Sequence, residues 1–163
     1  MSQLLLRDAT FDDAERLWVW ANDPDTRESS FHTGFIPWSE HAAWLKRKLQ
    51  DPACELWLAC DPDGTPFAEI RFDLDGATAV ISITVAPQQR GQGLGTVALQ
   101  GATERLFEST DTSQIVGYVK PDNQASMRAF LKAGFQDQGD TSVNGIQAKC
   151  LVMERPREQD TGS

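Results

Sequence analysis

Residues 81–107 read ISITVAPQQRGQGLGTVALQGATERLF, and their reading decides the fold. Ile81, Ile83 and Val85 are β-branched at period two, which predicts a strand. Pro87 lacks the N–H that a ladder needs and ends it. Leu94, Ala98, Ala102 and Leu106 then recur at helical spacing, with Val97 beside them, and predict an amphipathic helix. Between strand and helix stand Arg90, Gly91, Gln92, Gly93 and Gly95. Three glycines within five residues leave backbone N–H groups uncovered by side chains. Those donors and the positive end of the helix dipole make a site for a phosphate or pyrophosphate.

Two common phosphate loops do not fit. A P-loop needs Lys followed by Ser or Thr after its last glycine, and Gly95 is followed by Thr96 and Val97. The dinucleotide fingerprint needs G-x-G-x-x-G, whereas Gly91, Gly93 and Gly95 give G-x-G-x-G. What fits is [RQ]-x-x-G-x-[GA], with Arg90, Gly93 and Gly95 in the fixed places.

Working outward, 163 residues favour one domain with a proper core. No apolar run reaches the roughly 18 residues of a membrane helix. The start, MSQLLLRDATFDD, has too short an apolar stretch for a signal peptide. Cys54, Cys60 and Cys150 lack metal spacing and lie in apolar stretches, as free thiols of a reducing cytoplasm would. His32 and His41 are too few for a histidine-based metal centre, and no metal is expected. A net charge of −9 argues against nonspecific nucleic-acid binding.

Along the chain, Leu4 to Arg7 predicts a first strand. Thr10 and Asp13 form a capping box before a helix carrying Phe11, Ala14, Leu17, Trp18 and Ala21. Asn22 to Ser30 is rich in turn formers and reads as a break. Ser39 caps a helix from Glu40 to about Gln50. Strands follow at Cys54 to Cys60 and Phe67 to Leu74, joined by the turn Asp61-Pro62-Asp63-Gly64. Ala68, Ile70, Phe72 and Leu74 share one face of the latter; Glu69, Arg71 and Asp73 share the other. Asp75-Gly76 turns into the central strand. After the central helix come a strand at Gln114 to Val119, a helix at Asn123 to Ala133 ended by Gly134, and a hairpin at Gln136 to Thr141 and Ile146 to Glu154 around Asn144-Gly145. The polar tail, 156–163, is expected to be disordered. The order implies a single α/β domain, 1–155, with a mixed sheet.

With the segment Asn123-Gln-Ala-Ser126-Met-Arg-Ala-Phe130-Leu-Lys-Ala-Gly134-Phe135 added to the glycine loop, nearly the whole chain resembles the GNAT superfamily of N-acetyltransferases. The resemblance implies a mostly antiparallel sheet flanked by helices, with two central strands splayed apart around the pantetheine arm of acetyl-CoA. It implies that Val85 bonds the arm through its backbone. The pyrophosphate would be held by Arg90, Gly91, Gln92, Gly93, Leu94, Gly95 and Thr96. Asn123, Ser126 and Phe130 would border the arm, Asn123 also serving as a helix cap. Many members carry Tyr where this chain has Phe130, and that Tyr is assigned to protonate the leaving thiolate. A phenyl ring cannot do so; a thiol of pKa about 8.5 leaves tolerably without help.

The stretch from Trp20 through Asn22, Asp23, Pro24 and Arg27, followed by Trp38 and Trp44, is similar to aminosugar-nucleotide N-acetyltransferases of pseudaminic-acid type pathways. It is similar, more loosely, to ribosomal-protein N-terminal acetyltransferases. Both carry an Asn-Asp-Pro…Arg bend beside the acceptor. Trp20, Asn22, Arg27 and Arg71 are therefore expected at the acceptor. The attacking amine must lose a proton to a carboxylate, a hydroxyl or a water. Glu69, mid-strand beside the central strand, is the expected base, with Ser82 and Tyr118, the one tyrosine, as relays or contacts. The expected protein is a cytoplasmic acetyl-CoA-dependent acyltransferase acting on a small-molecule amine. A protein N-terminal acetyltransferase and a non-catalytic CoA-binding module are the alternatives. Neither nucleic acid nor membrane is an expected partner, and a homodimer is left open.

Overall fold

The computed structural model describes residues 4–157. The expected disorder of the tail falls mostly on 158–163, outside the described residues. Seven strands form one sheet in the order β1-β2-β3-β4-β5-β7-β6: β1 Leu5–Asp8, β2 Cys54–Cys60, β3 Pro66–Asp75, β4 Thr78–Val85, β5 Gln114–Val119, β6 Gln136–Val143 and β7 Ile146–Glu154. Every pair is antiparallel except β4 with β5. The helices are α1 Ala14–Ala21, α2 Pro24–Ser29, α3 Trp38–Gln50, α4 Leu94–Ser109 and α5 Gln124–Ala133.

Alternation along the strands sends side chains to two cores. Ile70, Phe72, Ile81, Ile115 and Leu151 face α4 and α5, where Leu99 and Leu106 pack on them. Leu56 and Leu58 face the other way, under Leu17 of α1 and Leu45 of α3. Burying one such Leu contributes about 2 kcal/mol by area. The sheet is thus fixed on both faces, and a ligand site must lie where this packing is interrupted.

The interruption is between β4 and β5. Their parallel ladder runs only from Thr78 opposite Gln114 to Ile81 opposite Gly117. Beyond that the strands part, as the splay expected from the family resemblance requires. β4 stays paired with β3 as far as Val85. Phe130 packs beneath the parting point: a Cβ on Gly117 would come within 2.6 Å of its ring.

Several local readings hold. Asp12 N–H donates to Thr10 Oγ1 and Thr10 N–H to Asp13 Oδ2, closing the capping box around a short 3-10 turn, Phe11–Asp13, that leads into α1. Asn144 and Gly145 both take positive φ, 52° and 76°, as a two-residue hairpin turn demands. Two readings fail. The stretch after Asn22 is not a simple break but contains α2, with Asp23 as N-cap and Pro24 in its first turn. Asp followed by Pro is a helix-start pair as well as a turn pair, and the turn reading chose wrongly. Ser39 does not cap α3, which begins one residue earlier, at Trp38, after Pro37.

Candidate active site

The loop after β4 is shaped by backbone. Gly91 and Gly93 have φ of 78° and 75°, and a Cβ on either would meet nothing within 4 Å. With no Cβ at either glycine, an anion can approach the backbone N–H groups of this loop closely. Gly93 is also the N-cap of α4, so the helix dipole points at the same place. Gly95, in the first turn, has no positive φ; its Cβ would lie 3.6 Å from Val85 and 3.9 Å from Ala129. It therefore floors a groove between β4 and α5, with Leu94 and Thr96 half-buried beside it.

The strand leading to this loop offers its own donors. Ala86 N–H donates to Phe67 O, so even-numbered residues of β4 turn their peptide groups toward β3. Ile83 and Val85 turn theirs toward the side that β5 has left. An arm with amide groups could bond there as a strand would. At the start of α5, Ser126 N–H donates to Asn123 Oδ1 at 3.2 Å, so Asn123 is the expected cap, and both residues are half-buried. Phe130, expected beside the arm, is a core residue 4% exposed, edge-on to Phe135. Its contact with Gly117 still sets it directly under the split.

The catalytic candidates share the opposite face of the sheet. Glu69 pairs with Thr84 and Arg71 with Ser82 across β3 and β4. Were the β4–β5 ladder to continue, Ser82 would stand opposite Tyr118. Tyr118 is 37% exposed and so accessible at the parting point. Burial pushes the Glu69 carboxyl up to about 7, with Arg71 pulling weakly the other way. No hydrogen bond engages the Glu69 carboxyl among the described residues. A half-buried, unpaired carboxyl near pKa 7 has the properties of a general base. Thiol nucleophiles are disfavoured: burial raises all three cysteines, Cys54 to about 11.

Each of the four expected acceptor contacts packs against or bonds to the protein itself. Trp20 is 7% exposed, in the core under α1 and α3. Asn22 donates from Nδ2 to Ile36 O at 2.9 Å and accepts Ile36 N–H at 2.8 Å, pinning the loop before α3. Arg27 donates from Nε to Ala21 O and from Nη1 to His32 O, and burial lowers its pKa. Arg71 donates to Asp73 at 3.0 Å and to Ser82 Oγ at 3.2 Å, under Trp44. All four shape the walls; among the described residues Arg27 Nη2 and Arg71 Nη1 have no partner and remain as donors. Arg90 is likewise bonded, to Asp23 at 2.7 Å and Thr26 at 2.6 Å. Its Nε and backbone N–H are not used by these two bonds, so an anion in the loop can still be met through them.

At the mouth of the split, sequence reading singled out Asn123 but missed the residues around it. Asp25, Glu28 and Ser29 of α2 face Asp122, Asn123 and Gln124 across a cleft of about 330 Å³. The Asp-Pro helix start was the available signal. Among the described residues no three His, Cys, Asp or Glu side chains come together to hold a metal ion. No described helix is long and apolar enough to cross a membrane.

Known proteins share this fold. The aminoglycoside N(6')-acetyltransferase type 1 of Klebsiella pneumoniae is 28% identical over 88 residues, which are 54% of this chain and 44% of that protein. The match thus spans less than half of that relative. The solved aminoglycoside acetyltransferase AAC(6')-Ib, in complex with coenzyme A and kanamycin, superposes with TM-score 0.83 at 22% identity, covering 99% of this chain and 100% of that one. Spermidine N-acetyltransferase from Vibrio cholerae, in complex with CoA and spermine, gives 0.84 at 17% identity, over 94% and 96%. These low identities bear on fold alone. The profile of the Acetyltransferase (GNAT) domain matches residues 3–136. With the split sheet, the glycine loop and most of its length in register with that profile, this chain belongs to the GNAT acetyltransferase family.

Proposed function

We propose that the protein is an acetyl-CoA-dependent N-acetyltransferase whose acceptor is a small cation with several amines. The carrying observation is convergence on the β4–β5 split. Free peptide groups of Ile83 and Val85 and the glycine loop lie along one route to it, and unpaired Glu69 near pKa 7 lies on the adjoining face. When bound, the coenzyme supplies a thioester. Loop N–H groups and the α4 dipole hold its phosphates, and β4 takes the arm as a strand. Val85 N–H stabilises negative charge developing on the carbonyl oxygen. Glu69 accepts the amine proton, directly or through water, with Ser82 and Tyr118 placed to orient that water. Thiolate departs without a side-chain acid, since Phe130 has no proton to give, and solvent protonates it.

The acceptor class rests on charge. Asp25, Glu28 and Asp122 line the mouth in a chain of net charge −9. Such a mouth concentrates cations and repels anions. Relatives that act on aminoglycosides and spermidine fit it. An aminosugar nucleotide fits less well, because Arg27 is already bonded to two carbonyls. The test is thiol release with kanamycin, spermidine, an aminosugar nucleotide and a peptide N-terminus. Turnover of the first two above the others is expected. Turnover of none, with acetyl-CoA still bound, leaves the non-catalytic module that Phe130 alone favours. Sedimentation decides whether the proposed enzyme is a homodimer.

A further inference from the structure

The strands that part beyond Ile81 and Gly117 are joined again through a helix. Arg90, just past β4, donates from Nη1 to Asp23 Oδ2 at 2.7 Å and from Nη2 to Thr26 Oγ1 at 2.6 Å. Lys120, just past β5, donates from Nζ to Glu28 O at 2.6 Å and lies 6.0 Å over the Phe31 ring. Both sets of partners belong to α2 or to the residues just flanking it, so α2 bridges the two lips. The Asp23 carboxylate is held below its usual range chiefly by Arg90. Its exposure is 18% and that of Arg90 33%, so the pair is shielded more than a surface pair. Asp23 also caps α2 by accepting Thr26 N–H at 3.2 Å. One bond from each terminal nitrogen of Arg90 turns the guanidinium toward α2, while the loop N–H groups stay facing the groove an anion would enter.

We propose that Arg90 and Lys120 are positioning residues that hold α2 as a strap across the mouth of the split, and that Arg90 serves the acceptor side rather than the pyrophosphate. The kinetic part of this inference rests on the acetyltransferase reading; the structural part does not. The clamp persists when acetyl-CoA is bound, and the acidic residues of α2 are thereby kept over the acceptor's path.

Two conservative changes break the ion pair while keeping each residue's local role. Arg90→Gln retains a residue that the [RQ]-x-x-G-x-[GA] motif accepts. Asp23→Asn retains an N-cap. Amide hydrogen exchange of residues 22–33 is expected to accelerate about tenfold in each variant and no further in the double variant. Acetyl-CoA affinity by calorimetry stays within about threefold, acceptor KM rises about tenfold, and kcat changes by less than about threefold. Unchanged exchange in Arg90→Gln overturns the strap. A tenfold loss of acetyl-CoA affinity in Arg90→Gln but not in Asp23→Asn returns Arg90 to the pyrophosphate. If no amine is turned over, the enzymatic reading fails, while exchange and affinity still decide the strap.

Discussion

On one side of the β4–β5 split the groups that can meet a ligand are peptide N–H groups, aimed by Gly91 and Gly93 at positive φ and by α4. On the other side they are side chains, and most are bonded to the protein itself: Asn22 to Ile36, Arg27 to two carbonyls, Arg71 to Asp73 and Ser82. Glu69 is the exception, with no hydrogen-bond partner among the described residues. The contrast teaches that a backbone-built site writes itself into residue spacing. A site built from side chains depends on which partner each one finds after folding.

The largest effect expected separates Glu69 from its bonded neighbours. Glu69→Gln should lower kcat by about 10²–10⁴-fold with acetyl-CoA affinity unchanged. It should also stabilise the fold, in one direction of pH only. The unfolded carboxyl loses its proton near 4.5 and the folded one near 7, so the native state weakens as pH rises through that window. The gain from Gln is then absent below about pH 4.5 and complete above pH 7. It is at most on the order of 3 kcal/mol, less because the split admits solvent. Denaturant melts of both proteins at pH 4 and pH 8 check the sign; equal stability at both would place the Glu69 pKa near its ordinary value.

Next comes the loop side. Gly95→Val puts methyl groups into the groove between Val85 and Ala129 without demanding a left-handed residue. Acetyl-CoA affinity should fall by about 100-fold, roughly 2.7 kcal/mol, while thermal stability holds. Gly93 is a poorer probe, because at φ 75° any branched residue strains the backbone whether or not a ligand binds there. Unaltered calorimetric affinity in Gly95→Val would move the coenzyme route off this groove.

How much of this could be read from the chain follows the same division. The glycine loop, the strand before it, the Asn123 cap and the Asn144-Gly145 turn are local statements about φ, and local sequence states them. Trp20 could not be assigned to the core rather than the acceptor wall, since helical periodicity places it near both. Arg90 could not be paired with Asp23, 67 residues away, from any spacing rule. Asp23-Pro24 was legible as a helix start and was read as a turn, because both uses favour the same residues.

A smaller effect sharpens that point. Arg27→Ala removes two bonds to carbonyls and should cost about 1–2 kcal/mol of stability, read as a lower Tm. Any rise in acceptor KM should be equal for cationic and anionic amines, since the guanidinium braces a wall. A selective loss for a nucleotide sugar would restore Arg27 as a phosphate contact. Smallest of all is Phe130→Tyr, with kcat changing by less than about tenfold, 1.4 kcal/mol. A far larger gain would show that thiolate departure limits the natural rate.

The short β4–β5 ladder has a mechanical consequence. Most neighbouring strands here are tied over much of their length, but the halves β1–β4 and β5-β7-β6 share only the pairs from Thr78–Gln114 to Ile81–Gly117. Force applied at the open end loads one rung at a time, as in peeling tape. Force along the strands loads all the rungs together. The ladder is therefore weakest in the one direction in which a wedge would have to enter, and resistance there falls to the bonds of Arg90 and Lys120 to α2 and its N-cap and to the core that Ile81, Ile115, Phe130 and Leu151 share.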